Sequence, residues 1–578
     1  MMKTGSKYYL APAATRRAWM QPGLLLVVLL IMSGNANAAP TNAPRPNIVL
    51  ILADDLGYSD LGCYGSEIAT PNLDRLASTG KKFTQFYTTP RCCPTRAALL
   101  TGLQPHQAGI GHMMEDRGLP SYRGELNPLA PTIAEVLREA GYRTAMVGKW
   151  HLSHIAFDGK RQLNFESTEP FWDHKDNWPL QRGFDEFYGT IHGVNSYYDP
   201  FSLVRDNQVT KPATTDYYYT DAVSDEAVAS IGRAARSKQP FFLYVAYTAP
   251  HWPLQAPEAD IAKYRDRYLA GWDVLRTNRY QRQIELGLID KSWPLSPRDE
   301  RVAPWENVKD KRWEANRMAT FAAMVERMDT GIGRILAKLA ETGTATNTLV
   351  MFFSDNGACD EAIQPGWYDV PTRTRDGRTI KIGNQDHHVF AGPEETWQSY
   401  GPGWANVGNT PFRLHKHYVH EGGIATPLIA NWPGVITTNS PLTSEVSHLT
   451  DIMPTCLELA GTEFPVTFRG QKPLHPEGVS LLPVLHGRPV NAETPRFWEH
   501  EGNRGVRLRQ WKLVARHEQP WELYDMAADR TELKNLAQQQ PDRVKQLVAL
   551  YQEWADRCGV LPFEKLPPVR PIVPAKLN

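Results

Sequence analysis

Asp54 and Asp55 are adjacent carboxylates at the end of an apolar run, residues 47–53 (Asn-Ile-Val-Leu-Ile-Leu-Ala). Such neighbours repel unless a cation lies between them. A second apolar run, 348–353, leads into Ser354-Asp355-Asn356-Gly357. Three carboxylates and an amide oxygen make an oxygen-only donor set, the kind a hard cation takes. Ca²⁺ suits a loose set of protein oxygens better than Mg²⁺, which keeps its water. Thiolates and imidazoles that would favour zinc are not concentrated there. Taken alone, Asp54-Asp55 also reads as a helix N-cap pair.

Residues 92–102, Cys-Cys-Pro-Thr-Arg-Ala-Ala-Leu-Leu-Thr-Gly, carry a different chemistry. Pro94 suits the first position of a helix and Gly102 the residue past its end. Cys92 then stands just ahead of free backbone N–H groups at the positive helix end, which favours an oxyanion at residue 92 and a bound anion before it. Arg96, one turn in, is placed to hold that anion or residue 92 itself. Lys149 and His151 alternate about Trp150, so an extended segment turns both to one side. One is a fixed cation, and the other titrates near neutrality. His251 follows a third apolar run, 241–247, in Ala249-Pro250-His251. Lys416 closes residues 409–416, crowded by His415, His417 and His420, and spacing alone does not single it out.

The three runs read as strands buried on both faces. Between them lie helical patterns at 131–140 and 318–339. Alternating buried strands and helices predict an α/β fold with a largely parallel sheet, in which ligands bind beyond the carboxyl ends of the strands. Those ends carry Asp-Asp, His and Asp-Asn, so the pattern converges on one site. From about Arg496 the reading changes. Short strand-like runs (505–509, 511–515, 521–524) and an amphipathic helix over 541–554 predict a small antiparallel sheet with a packing helix. Residues 154–180, 266–312 and 358–400 lack clear periodicity and read as insertions over the sheet edge. The aromatic residues of 171–178, Tyr197-Tyr198 and 367–404 would line an aryl or sugar subsite, or pack the insertions.

The chain of 578 residues is long enough for a large domain and a smaller one. With 63 Lys+Arg against 63 Asp+Glu there is no basic field for nucleic acid. Arg16-Arg17, an apolar stretch over 23–32 and Ala36-Asn37-Ala38 read as a cleavable export signal, with an uncleaved anchor as the alternative. This predicts, in order, a signal peptide (1–38), a catalytic domain (45–480), a C-terminal subdomain (481–565) and a tail (566–578). It also predicts a periplasmic or secreted protein with no membrane span after signal removal, by the Sec or the twin-arginine route. The six cysteines are too widely spaced in so long a chain to form a disulfide framework.

Residues 92–102 resemble the sulfatase signature, and Gly141-Tyr142-Arg143-Thr144-Ala145-Met146-Val147-Gly148-Lys149-Trp150-His151 resembles the second one. Over residues 45–562 the chain looks like a type I sulfatase of the alkaline-phosphatase superfamily, most like bacterial arylsulfatases. The resemblance implies that a maturation enzyme oxidises Cys92 to formylglycine. It implies one Ca²⁺ held by Asp54, Asp55, Asp355 and Asn356 and touched by residue 92. Arg96, Lys149, His151, His251 and Lys416 match sulfate-binding and proton-transfer residues. The expected substrate is a sulfate monoester, aryl sulfate or sulfated sugar. One hydroxyl of the hydrated aldehyde attacks sulfur, with Asp355 as base. The other, helped by His151, expels sulfate as the aldehyde re-forms. Two departures stand out: Arg91 where the signature has a small or aliphatic residue, and Cys93 where serine is commoner. Rival readings are a phosphonate or phosphate ester hydrolase of the same superfamily, and an exported glycan-binding protein without catalysis.

Overall fold

The computed structural model describes residues 45–153, 175–367, 370–436, 442–489 and 493–570. All belong to one compact unit that begins at Arg45. The expected signal peptide, Phe171 and Trp172 of the aromatic stretch, and residues 571–578 of the tail lie outside the described residues.

Seven strands carry the central sheet: β1 (Asn47–Ala53), β2 (Lys81–Tyr87), β3 (Arg143–Lys149), β4 (Glu186–Thr190), β5 (Phe241–Ala246), β6 (Thr348–Ser354) and β7 (Ala425–Asn431). Their spatial order is β2-β7-β6-β1-β5-β3-β4, with two- and three-residue strands extending both edges. β1 runs parallel to β5 and β6, and β3 parallel to β5 and β4. Only β7 breaks the pattern among these seven, lying antiparallel to both β2 and β6. The sheet is therefore large, mixed and mostly parallel, as expected.

The helices that follow the strands cover both faces. Among them are α1 (Cys92–Thr101), α2 (Ile133–Glu139), α3 (Tyr219–Ser237), α4 (Trp272–Glu285), α5 (Lys311–Glu341), α6 (Ile452–Ala460) and α7 (Pro541–Cys558). The period-two alternation of β1 divides its side chains between two cores. Val49, Ile51 and Ala53 meet α3 and α5 on one face. Ile48, Leu50 and Leu52 meet α1, α2 and α6 on the other. This explains why every residue of β1 is buried and why its sequence is apolar without interruption. α2 starts where the pattern at 131–140 placed it, because Thr132 and Glu135 form a reciprocal capping box.

Two expectations need correction. α1 begins at Cys92 with Arg91 as its cap, so Pro94 is the third helical residue and not the first. The first four N–H groups of a helix have no intrahelical partner, so proline costs no backbone hydrogen bond there either. The stretch 266–312 is not without regular structure, since it contains α4. Trp397 and Trp404 are buried at 1% and 0% exposure, so within 367–404 these rings pack the insertions and do not face a ligand.

At the C-terminal end, Arg496–His500, Asn503–Leu508, Trp511–Ala515 and Glu522–Asp525 form an antiparallel meander. Phe497, Val506, Leu513 and Leu523 pack there against Leu547, Tyr551 and Trp554 of α7. The six cysteines are all unbridged.

A buried ion network ties the meander to the central sheet. Lys512 Nζ lies 2.8 Å from both Glu421 Oε1 and Glu532 Oε1, and Arg530 Nε lies 2.8 Å from Glu421 Oε2. Burial would raise the Glu421 carboxyl, but Lys512, Arg530 and Arg507 outweigh it and pull it down to about 2. A depressed folded-state value stabilises the protein above the free value of 4.5, and that stabilisation drains away as pH falls toward about 2. Lys512→Met, which takes the buried cation from Glu532 while Arg530 still pairs Glu421, is expected to cost about 3–5 kcal/mol in urea unfolding at neutral pH. Glu421→Gln should flatten the acid side of the stability profile.

Candidate active site

The carboxyl ends of β1, β3, β5 and β6 deliver the reactive residues. Asp54 and Asp55 leave β1, Lys149 ends β3, Asp355 and Asn356 leave β6, and His251 follows β5. These side chains are buried, at 4% exposure or less. Asp55 has the left-handed backbone (φ 62°) that turns the chain as it leaves the strand. Its N–H donates to Asp355 Oδ1 at 3.1 Å, which joins the two strand ends directly.

Fixed cations interleave the carboxylates. Arg96 donates to Asp355 Oδ2 at 2.9 Å, lies 3.3 Å from Asp54 Oδ2, and also donates to the Lys149 carbonyl at 3.0 Å. Lys149 Nζ reaches Asp54 Oδ2 at 2.5 Å. Lys416 Nζ donates to Asp55 Oδ2 at 3.0 Å, and His251 Nε2 lies 3.4 Å from that same oxygen. Asn356 Nδ2 donates to Asp55 Oδ1 at 2.7 Å. Cys92, Cys93 and His151 each present one donor atom, all within 4.8 Å of one another. All ten residues expected at the site are brought together.

The electrostatics reveal what the arrangement lacks. Burial, with Asp54 alongside, pushes Asp355 well above the usual carboxylate range. Asp54 is held below that range because Lys149, His251 and Arg96 outweigh the same burial. Asp54 Oδ1 and Asn356 Oδ1 are buried with no hydrogen-bond partner among the described residues. Buried acceptors of this kind are otherwise satisfied. Two orphaned oxygens beside crowded carboxylates fit a hard divalent cation, and the donor set of Asp54, Asp55, Asp355 and Asn356 fits Ca²⁺.

Residue 92 carries the encoded thiol, whose Sγ marks where the atoms of a modified side chain would sit. A hydrogen bond from Cys93 holds this thiol well below its ordinary value, and Lys149 and His151 reinforce the shift against burial. Burial pushes His151 down to about 3, against the pull of Cys92, so its ring is neutral and its Nδ1 is unpartnered among the described residues. His151 does not reach residue 92 by simple strand alternation. β3 stops at Lys149, and His151 turns through a left-handed backbone position (φ 57°). Trp150 points elsewhere, its indole bonded to Ser153 Oγ and the Asn177 carbonyl.

The structure also resolves the crowd around Lys416. His415 turns to Asp360 and Asp299, at 3.0 and 3.5 Å, and His420 lies 3.5 Å from Glu522. Glu361, unread in the sequence, lies 3.5 Å from Lys416 Nζ and accepts from Trp252 Nε1 at 2.7 Å. Cys359 Sγ is 3.7 Å from the same lysine. Burial alone would lower Lys416, yet Asp55, Cys359 and Glu361 hold it well above its ordinary value, so it stays a cation. No periodicity marks Glu361 or Cys359, and only the fold brings them in.

The Sulfatase family model matches residues 46–462, and the model "N-sulphoglucosamine sulphohydrolase, C-terminal" matches residues 412–554. An uncharacterized sulfatase of Schizosaccharomyces pombe is 34% identical over 89% of this chain and 94% of its own length. The arylsulfatase of Klebsiella aerogenes is 34% identical over 79% of this chain and 95% of its own. The crystal structure of Ps i-CgsB in complex with k-i-k-neocarrahexaose superposes with a TM-score of 0.62 at 25% identity, covering 88% of this chain and 93% of that one. The family match spans well over half of the sequence, so the chain belongs to the sulfatase family: it is a type I sulfatase, a sulfuric ester hydrolase.

Proposed function

We propose that the protein hydrolyses sulfate monoesters to an alcohol or phenol and inorganic sulfate, using a formylglycine made from Cys92 by a maturation enzyme and one Ca²⁺ held by Asp54, Asp55, Asp355 and Asn356. The observation that carries this reading is the pair of orphaned oxygens, Asp54 Oδ1 and Asn356 Oδ1, in a buried site ringed by Arg96, Lys149 and Lys416. When present, Ca²⁺ supplies charge to the sulfate oxygens, and the hydrated formylglycine supplies paired hydroxyls that take up and then release the sulfuryl group.

The chain's own groups do the rest. Arg96 fixes the carboxylates of Asp54 and Asp355, and Lys149 holds positive charge beside residue 92. Asp355 is the base for the attacking hydroxyl. His251 bonds through Nδ1 to the Trp252 carbonyl at 2.6 Å, which leaves Nε2, 3.4 Å from Asp55 Oδ2, as the nitrogen to exchange a proton with the departing oxygen. Lys416 keeps a cation beside that oxygen. His151, neutral and next to residue 92, takes the proton whose loss releases sulfate.

An open pocket of about 680 Å³ is lined by His417, the residue after Lys416, and by Tyr418, Asn503, Arg516 and Gln519 among others. Its size and polar lining favour a sulfated sugar over a bare aryl sulfate. The structure of Ps i-CgsB with k-i-k-neocarrahexaose points the same way. We further propose export to the periplasm or beyond by the N-terminal signal, with residues 481–565 as a C-terminal subdomain. No helix among the described residues is long and apolar enough to cross a membrane.

Sulfate release by the matured enzyme, compared across an aryl sulfate, sulfated oligosaccharides and an aryl phosphonate ester, tests the substrate class. The sulfated sugar is expected to give the highest kcat/KM. A higher kcat/KM on the phosphonate would overturn the reading.

A further inference from the structure

Three imidazoles surround one carboxylate where the loop carrying Lys416 meets the C-terminal meander. Glu501 sits in the turn between Arg496–His500 and Asn503–Leu508. Its Oε2 lies 2.7 Å from His417 Nδ1. Its Oε1 lies 3.6 Å from His500 Nε2 and 3.7 Å from His112 Nε2. His417, His500 and Glu501 each offer one donor atom, and these atoms lie within 4.8 Å of one another.

His500 is the informative member. It is 1% exposed, and neither ring nitrogen has a hydrogen-bond partner among the described residues. A buried imidazole left this way is costly unless something else binds it. Its Nε2 faces the carboxylate that the other two imidazoles share.

A tetrahedral ion with metal–nitrogen bonds of about 2.0–2.1 Å needs donor atoms roughly 3.3 Å apart. The carboxylate-to-imidazole separations, 2.7 Å at Glu501 Oε2 and 3.6 and 3.7 Å at Oε1, bracket that spacing, and the donor atoms of His417 and His500 lie within 4.8 Å of each other. Imidazole with a single carboxylate suits Zn²⁺ and its first-row neighbours, whereas Ca²⁺ takes oxygen. His112 also has Nδ1 3.3 Å from Glu115 Oε2, the outer carboxylate that commonly orients a metal-binding imidazole. Arg91 Nη1 lies 2.9 Å from the same His417 Nδ1, a contact an ion there would have to displace, and Glu361 offers the guanidinium another partner at 2.9 Å.

We propose that His417, His500 and Glu501, with His112 alongside them, form a second metal site, for a zinc-type divalent ion, separate from the oxygen site at Asp54. The same open pocket is lined by His417 and Glu501, which gives the ion a path in. Because His417 directly follows Lys416, the ion clamps that loop to the meander. These are positioning residues for the loop and not catalytic ones.

The test uses the full, matured and calcium-saturated chain, dialysed against zinc chloride and analysed for bound metal. One equivalent of zinc per chain is expected, with a higher Tm than in its absence. His500→Ala and Glu501→Gln should lose both the zinc and the Tm shift. His112→Gln, the mildest change, should weaken zinc about 10-fold or more, and it serves if the other two fail to fold. Cobalt substitution separates this site from the Cys92–Cys93–His151 cluster, because thiolate ligation adds a sulfur-to-cobalt absorption band that the proposed site lacks. No stoichiometric zinc in the parent protein, undiminished zinc in the variants that fold, or a thiolate band at full cobalt loading would each overturn the proposal.

Discussion

Cys92→Ala is expected to lower kcat/KM for a sulfate ester by about 10⁴–10⁶-fold, the loss typical of removing a nucleophile that acts with its partners as one unit. The substitution removes a side chain that is 2% exposed and small, so the fold should survive. Cys92→Ser is the more revealing variant. Serine offers one hydroxyl where the formylglycine hydrate offers two. It should accept a sulfuryl group once and then stall, because no second hydroxyl is present for His151 to deprotonate. Rapid-quench kinetics should show no more than a single equivalent of product, and the peptide spanning residue 92 should gain the mass of a sulfate. Sustained turnover by the serine variant would remove the need for formylglycine.

Asp355→Asn should be the next most damaging change, with kcat/KM falling about 10³-fold, the several kcal/mol that an oriented divalent ion supplies. It removes a ligand and the carboxylate that Arg96 holds at 2.9 Å. The stability readout is distinct. Without calcium, Asp355 sits well above the usual carboxylate range, through burial and then Asp54. A carboxyl with a raised folded-state value contributes stability below its free value of 3.8 and loses it as pH rises through the folded value. Calcium-free wild-type protein should therefore lose Tm as pH rises toward neutrality, and calcium should restore it. Asp355→Asn should show a flatter calcium-free profile and a smaller calcium response. Equal calcium responses in the two proteins would rule out Asp355 as a ligand.

What the sequence disclosed follows from burial. β1, β5 and β6 are buried on both faces, so their apolar runs are unbroken and their ends conspicuous. β7 escaped notice because Pro427 sits inside it, and proline argues against a strand. The structure accommodates that residue at a register shift between Thr426 and Leu428. α4 escaped because its buried face carries Arg276, Arg279 and Gln283. Arg279 is paired with Asp60 at 2.6 Å and Glu67 at 2.9 Å, so a polar face is buried and the apolar period disappears.

At the site, residue types and strand ends were legible, but pairings were not. Lys416 and Asp55 are 361 positions apart, and nothing local distinguishes Lys416 from the histidines beside it. Glu361 and the unpartnered His500 are visible only once the loops are folded together. His151 reaches residue 92 through a left-handed turn that strand alternation does not describe.

The central claim is that Cys92 becomes the nucleophile by conversion to formylglycine within this site. Mass spectrometry of the peptide spanning residues 92–96, taken from an active preparation, tests it most directly. The account predicts an aldehyde or its hydrate at residue 92 and an intact thiol at Cys93, with the converted fraction tracking specific activity. A fully active preparation in which Cys92 is entirely unmodified would contradict it.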